Sequence, residues 1–202
     1  MHRSHNSLFG REIVTIFPGE VYVTTTGEIL STVLGSCIAV CLGDPVRKVW
    51  GMNHFMLPTG RATNEQTAVL ARDAKNYYAD SLRYGTHAME LLIGELQKAG
   101  AERKAFRAKV FGGAHVLRGM SGVDVGQKNI LFIRSYLHLE KIPTDSEDVD
   151  GEFGRKIFFV TAENRVLRKH ILPTETALVT QEEEKYVRRV ATEKPSGTVD
   201  LF

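Results

Sequence analysis

The sequence predicts an α+β chain, and three observations carry that expectation. Ile38-Ala39-Val40-Cys41-Leu42 is a short apolar run closed by Gly43-Asp44-Pro45, and Val49 to Leu57 is a second run stopped by Pro58. Together they read as two strands of a hairpin. Thr86 to Ala99 places Ala88, Met89, Leu92 and Leu96 on one side of a helix, with Gly100 as its stop. Lys156 to Val160 and Arg165 to Ile171 read as a late hairpin.

The remaining elements follow from the same signals. Glu12 to Thr26 is strand-like and interrupted by Pro18-Gly19, and its second half, Val21-Tyr22-Val23, is bounded by Gly27. Ser31 to Leu34 leads into Gly35, which marks a tight turn. Arg61 to Leu82 has helical spacing through Leu70, Ala74, Tyr77 and Tyr78, although a loop fits part of it. Phe106 to Phe111 is a strand ending in Gly112-Gly113-Ala114, and Gly126 to Asn129 opens a helix carrying Ile130, Ile133 and Leu137. One main domain over 12–172 is expected, after a flexible extension at 1–11. The charge-rich segment 173–202 is expected to be a peripheral helix or tail.

Composition narrows the function classes. The 202 residues are 43% hydrophobic and 25% charged with a net charge of +2, an ordinary soluble surface around a real core. No basic stripe with interleaved aromatics argues for nucleic acid. No stretch reaches the roughly 20 apolar residues of a membrane span, and the amino terminus has no signal-peptide core. A cytoplasmic protein without direct membrane insertion is therefore expected. Cys37 and Cys41 would lie about 13 Å apart along a strand, too far to bridge. No paired metal-ligand spacing accompanies them.

Chemistry concentrates at Cys37. It follows Leu34-Gly35-Ser36, and His54 stands one short strand away in Met52-Asn53-His54-Phe55. A thiol becomes a nucleophile when a histidine or aimed backbone N–H groups favour the thiolate. The Gly35-Ser36 turn can aim N–H groups at an oxyanion. Ser31 or Thr32 can hold the imidazole, and strand alternation makes these alternatives, since only one of two adjacent residues faces the ring. A buried cysteine and an interior histidine are the plain structural reading of the same pair. Cys41, inside its apolar run, reads as packing. His115, His87, Asp148 and Asp150 read as ordinary loop or surface residues.

The ordered blocks LGSCIAVCLGDP, GMNHFMLP, RYG, AKVFGGA, GQKNI and DVDGEFGRKIFF resemble the CheD family of bacterial chemotaxis proteins. They span roughly residues 12 to 172. The resemblance implies a single-domain α+β layered sandwich of mixed and antiparallel sheets with helices outside, similar to toxin-type glutamine deamidases. It implies hydrolysis of glutamine side chains on chemoreceptors, with Cys37 as nucleophile, His54 as base and Ser31 at the orienting position, Thr32 being the adjacent alternative. Gly35 and Ser36 supply the site backbone. Asp150 stands where the family pattern has a glycine. No cofactor or metal is implied. The implied partners are cytoplasmic domains of methyl-accepting chemoreceptors and a CheC-type chemotaxis phosphatase, with recruitment to receptor arrays. Two other readings compete: a non-catalytic adaptor binding receptors or that phosphatase, and a thiol enzyme acting on another acyl donor.

Overall fold

The computed structural model describes residues 1–6, 10–57, 70–116 and 125–171, together with 181 and 185, and only the backbone of Asn6 and of helix residues 70–83. Strands β5 (Ile38–Asp44) and β6 (Val49–Phe55) are buried at all seven positions each. That explains why their apolar runs are nearly continuous rather than alternating. They form the expected antiparallel hairpin, with Ala39 opposite His54 and Cys41 opposite Met52. The Asp44 carboxylate accepts the Val46 and Arg47 N–H groups at 2.9 and 3.1 Å and closes the turn. β3 (Val21–Thr24) flanks β6, β7 (Arg107–Gly112) flanks β5, and β8 (Thr144–Val149) runs parallel to β7, giving the order β3-β6-β5-β7-β8.

Alternation sends the two faces of β5 into different layers. Ile38, Val40 and Leu42 pack with Met89 and Leu92 of helix α1 (Leu70–Lys98) and with Ile130 and Ile133 of helix α2 (Val125–Leu139). Ala39 and Cys41 instead pack, beside Cys37, with residues of a second sheet, among them Leu30, Leu34, Ile157 and Phe159. That sheet has the order β1-β2-β4-β9-β10, built from β1 (His2–Asn6), β2 (Arg11–Thr15), β4 (Ile29–Leu34), β9 (Arg155–Val160) and β10 (Arg165–His170). β2 and β4 are parallel and the other pairs antiparallel, so helices, sheet and sheet form three layers. Trp50 of β6 meets Phe159 of β9 edge to face at 5.5 Å across the seam between the sheets. Such a pair adds about 0.5–1.5 kcal/mol beyond its buried area.

The layered α+β architecture is as expected, and the late hairpin is β9–β10. Three elements differ from the expectation. Residues 2–6, expected in a flexible extension, form the edge strand β1 against β2. Thr144–Val149, not expected as a strand, is β8. The helix expected from Thr86 is the second half of a 29-residue helix beginning at Leu70. The expected segment 173–202 lies outside the described residues apart from Gln181 and Lys185, as do 61–69.

Candidate active site

Strand β4 settles which hydroxyl meets the imidazole. Leu30 and Leu34 face the seam between the sheets, so Thr32, two residues from each, faces it as well. Ser31 shares the opposite face with Ile29, which packs with Ile13 and Val160. The Thr32 Oγ1 lies 2.8 Å from His54 Nδ1, whereas the Ser31 hydroxyl donates to the Ile157 carbonyl at 2.9 Å. Of the two alternatives expected, Ser31 and Thr32, the hydroxyl beside the imidazole is Thr32's, because a one-residue step on a strand reverses the face.

The same contact fixes the tautomer. Thr32 has one hydroxyl proton and donates it to the Ile16 carbonyl at 2.7 Å, so it can only accept from the ring. His54 Nδ1 carries the proton, and the lone pair is on Nε2. That atom is buried and has no hydrogen-bond partner among the described residues. Burial away from water pushes the His54 pKa down to about 3, opposed by the Ile16 carbonyl. The ring is a neutral base across the physiological range. Thr32→Val is expected to leave the Nδ1–H without its hydroxyl partner and to lower unfolding stability by about 1–3 kcal/mol. Urea titration checks this, with Thr32→Ser expected to stay near wild type.

Cys37 sits in a bend between β4 and β5 whose backbone is held from outside. The Gly35 and Cys37 carbonyls accept the Ala114 and Gly113 N–H groups, both at 2.8 Å. Gly112 has φ of 115°, and a Cβ there would stand 2.0 Å from the Cys37 oxygen. Glycine at 112 is thus what lets the end of β7 lie flat against the cysteine. The Ser36 hydroxyl donates to the Met56 sulfur at 3.3 Å, and the Ser36 carbonyl accepts from Asn129 Nδ2 at 2.7 Å. Cys37 precedes by two residues the Ala39 that pairs with His54, and both side chains belong to the seam. Cross-strand diagonal positions of this kind are roughly 7–8 Å apart at the backbone, within reach of a long or aromatic side chain. Cys37 is fully buried and His54 2% exposed, so the pair lies in a dry, low-dielectric setting.

Apart from His87, the other singled-out residues stay away from this pair. Cys41 donates to the Met52 sulfur at 3.6 Å, and burial raises its thiol pKa well above the ordinary value. It is an inert core thiol. His87 lines a pocket of about 70 Å³ between β3, β6 and α1, which Glu20, Asn53 and His54 also line. His115 Nε2 pairs with Asp150 at 2.7 Å on the surface. Asp150 takes φ of 75°, the left-handed conformation a glycine would supply, and its carboxylate accepts the Gly151 N–H at 2.6 Å. Asp148 is clamped by the buried Arg155 at 2.8 Å. No three His, Cys, Asp or Glu side chains converge as a metal cluster among the described residues.

Two contributors are not evident from the sequence. Gly112 and Gly113 read there as a strand end, not as the backing of Cys37. Asn129 reads only as part of a helix start. The signal that could have found it is a fully buried amide on the apolar face of α2, three and four residues before Phe132 and Ile133.

Comparison with known proteins concerns the chain as a whole. The family model for CheD chemotactic sensory transduction matches residues 56–170. A protein of Methylobacillus flagellatus named "Probable chemoreceptor glutamine deamidase CheD" is 41% identical over 194 residues, covering 96% of this chain and 91% of its own length. One of the same name from a Janthinobacterium species is 39% identical over 198 residues, covering 98% and 93%. "Probable chemoreceptor glutamine deamidase CheD 1" of Shewanella oneidensis is 39% identical over 201 residues, covering 100% and 93%. No described helix is long and apolar enough to cross a membrane.

Proposed function

This chain belongs to the CheD family, and from that premise we propose that it hydrolyses glutamine side chains of chemoreceptor cytoplasmic domains to glutamate. The observation that carries the reading is the imidazole of His54, with Nδ1 held by Thr32 and a buried Nε2 lone pair, in the seam that also holds Cys37.

In this mechanism the Cys37 thiol gives its proton to His54 Nε2 as the sulfur attacks the glutamine Cδ. The tetrahedral oxyanion is met by backbone N–H, that of Cys37 first. The C–N bond then breaks, the nitrogen takes the proton from Nε2–H, and ammonia leaves a thioester on Cys37. Water attacks that thioester, passing a proton to Nε2. The C–S bond breaks, glutamate departs and the thiol recovers its proton. The balance is glutamine plus water to glutamate plus ammonia. Thr32 touches no reacting atom. It keeps the proton on Nδ1 so that Nε2 alone exchanges it.

The test is mass spectrometry of chemoreceptor cytoplasmic fragments incubated with the wild-type protein, with ammonia assayed in parallel. A gain of about one dalton at individual glutamines, matched by ammonia, is expected from the carboxamide-to-carboxylate exchange. Receptor binding with no mass change would instead support the adaptor reading, and backbone cleavage would indicate proteolysis.

A further inference from the structure

Three successive carbonyls around the nucleophile are each pinned. Gly35 O is held by the Ala114 N–H, and Cys37 O by the Gly113 N–H. Ser36 O, between them, is held by a side chain, Asn129 Nδ2 at 2.7 Å. The other end of the same amide, Oδ1, accepts the Leu57 N–H at 2.8 Å, just beyond the strand that carries His54. Asn129 is fully buried and stands on α2, so one side chain of the helix layer ties the Cys37 bend to the end of β6.

We propose that Asn129 is a positioning residue for the reaction, fixing the plane of the Ser36–Cys37 peptide and so the aim of the Cys37 N–H at the oxyanion. The inference rests on the deamidase reading above. The peptide is planar and trans, so its N–H points opposite to its C=O. Drawing the Ser36 oxygen toward Asn129 turns the Cys37 N–H away from α2. An oxyanion donor stabilises the transition state only when it is aimed before charge develops. Neighbouring backbone supplies the two outer clamps, whereas the central one depends on an amide that donates at one end and accepts at the other.

Asn129→Ala and Asn129→Asp test this with a chemoreceptor cytoplasmic fragment that the wild-type protein converts. Both variants are expected to lose about 100-fold in kcat, the scale of one oxyanion donor, with KM changed by less than about twofold. The aspartate variant carries a second signature. Its ionised carboxylate cannot donate to Ser36 O, but the protonated acid can, and burial raises the pH at which it protonates. Its kcat relative to wild type is therefore expected to rise as pH is lowered from about 9 to about 6. A residue that merely packs would give a constant ratio.

A readout independent of turnover comes from the single Ser–Cys peptide in the chain, Ser36–Cys37. Carbonyl-¹³C serine with ¹⁵N cysteine labels it alone, and its amide resonance is expected to move in both variants. If the wild type converts no fragment yet the resonance moves, the deamidase reading fails and the oxyanion role falls with it, leaving only the clamp. Folded Asn129→Ala protein with kcat within threefold of wild type, or an unmoved resonance, overturns the inference. Asn129→Ala brings in no charge and keeps the proposal testable if Asn129→Asp does not fold.

Discussion

Cys37→Ala is expected to release no measurable ammonia from a receptor fragment that the wild-type protein converts, while still binding it. In the proposed mechanism the sulfur carries the acyl group, and loss of a nucleophile in a coupled site lowers kcat by about 10⁴-fold or more. The fold should persist, because the backbone carbonyls of the bend are held by neighbouring N–H groups. The substitution deletes one buried sulfur atom, a change of about 1–2 kcal/mol. Cys41→Ala is the matched control, since that buried thiol donates to the Met52 sulfur and its pKa is raised by burial. Side-by-side mass spectrometry decides between them. Continued conversion by Cys37→Ala, or its loss in Cys41→Ala alone, would move the nucleophile elsewhere.

Replacing His54 with glutamine should have the next largest effect and should separate catalysis from acid stability. Loss of the base lowers kcat by about 10²–10⁴-fold. The stability argument follows from the depressed ring pKa, 6.5 for a solvated imidazole side chain and about 3 for this one. Above pH 6.5 the ring is neutral both folded and unfolded, and contributes nothing to the pH dependence. As pH falls from 6.5 toward 3, the unfolded chain takes up a proton that the native ring refuses. Native stability then drops by about 1.4 kcal/mol per pH unit at full slope. Between about pH 7.5 and about pH 5 the wild type should lose on the order of 2 kcal/mol that His54→Gln does not. Urea midpoints at the two pH values measure the difference, and equal acid losses would contradict a buried neutral ring. For the same reason the acid limb of kcat/KM should lie below the ordinary histidine range.

Legibility in the sequence tracks burial. β5 and β6 are covered on both faces, and their apolar runs between turn residues announce the hairpin. β1 and β8 are edge strands. His2 to His5 are exposed, and Thr144–Val149 is exposed at four of its six positions, so neither strand carries an apolar pattern. What identifies them is a partner strand distant in sequence. Cys37 and His54 are legible because glycine punctuation and one hairpin bring them to a common face. The choice between Ser31 and Thr32 is not. In Ile29–Leu34 five of six positions are buried, so the residues do not reveal which face is which. That parity is set by pairing with β9, where Thr32 stands opposite Ile157. Asn129 is hidden for a related reason: its two partners come from the far side of the hairpin, 93 and 72 residues earlier.

The seam between the sheets also bears on when the proposed site is assembled during synthesis. Thr32, Cys37 and His54 all leave the ribosome about a hundred residues before β9 does. That is the strand that pairs with β4: Ser31 and Ile157 are 126 residues apart. A nascent chain therefore carries its reactive groups long before β9 arrives to complete the sheet that presents Thr32. Domains commonly fold as units as they emerge, and partly made ones expose what the finished fold covers. Under the proposed deamidase reading, a site that waits for β9 is expected to keep a half-made chain from acting on glutamines it meets by accident.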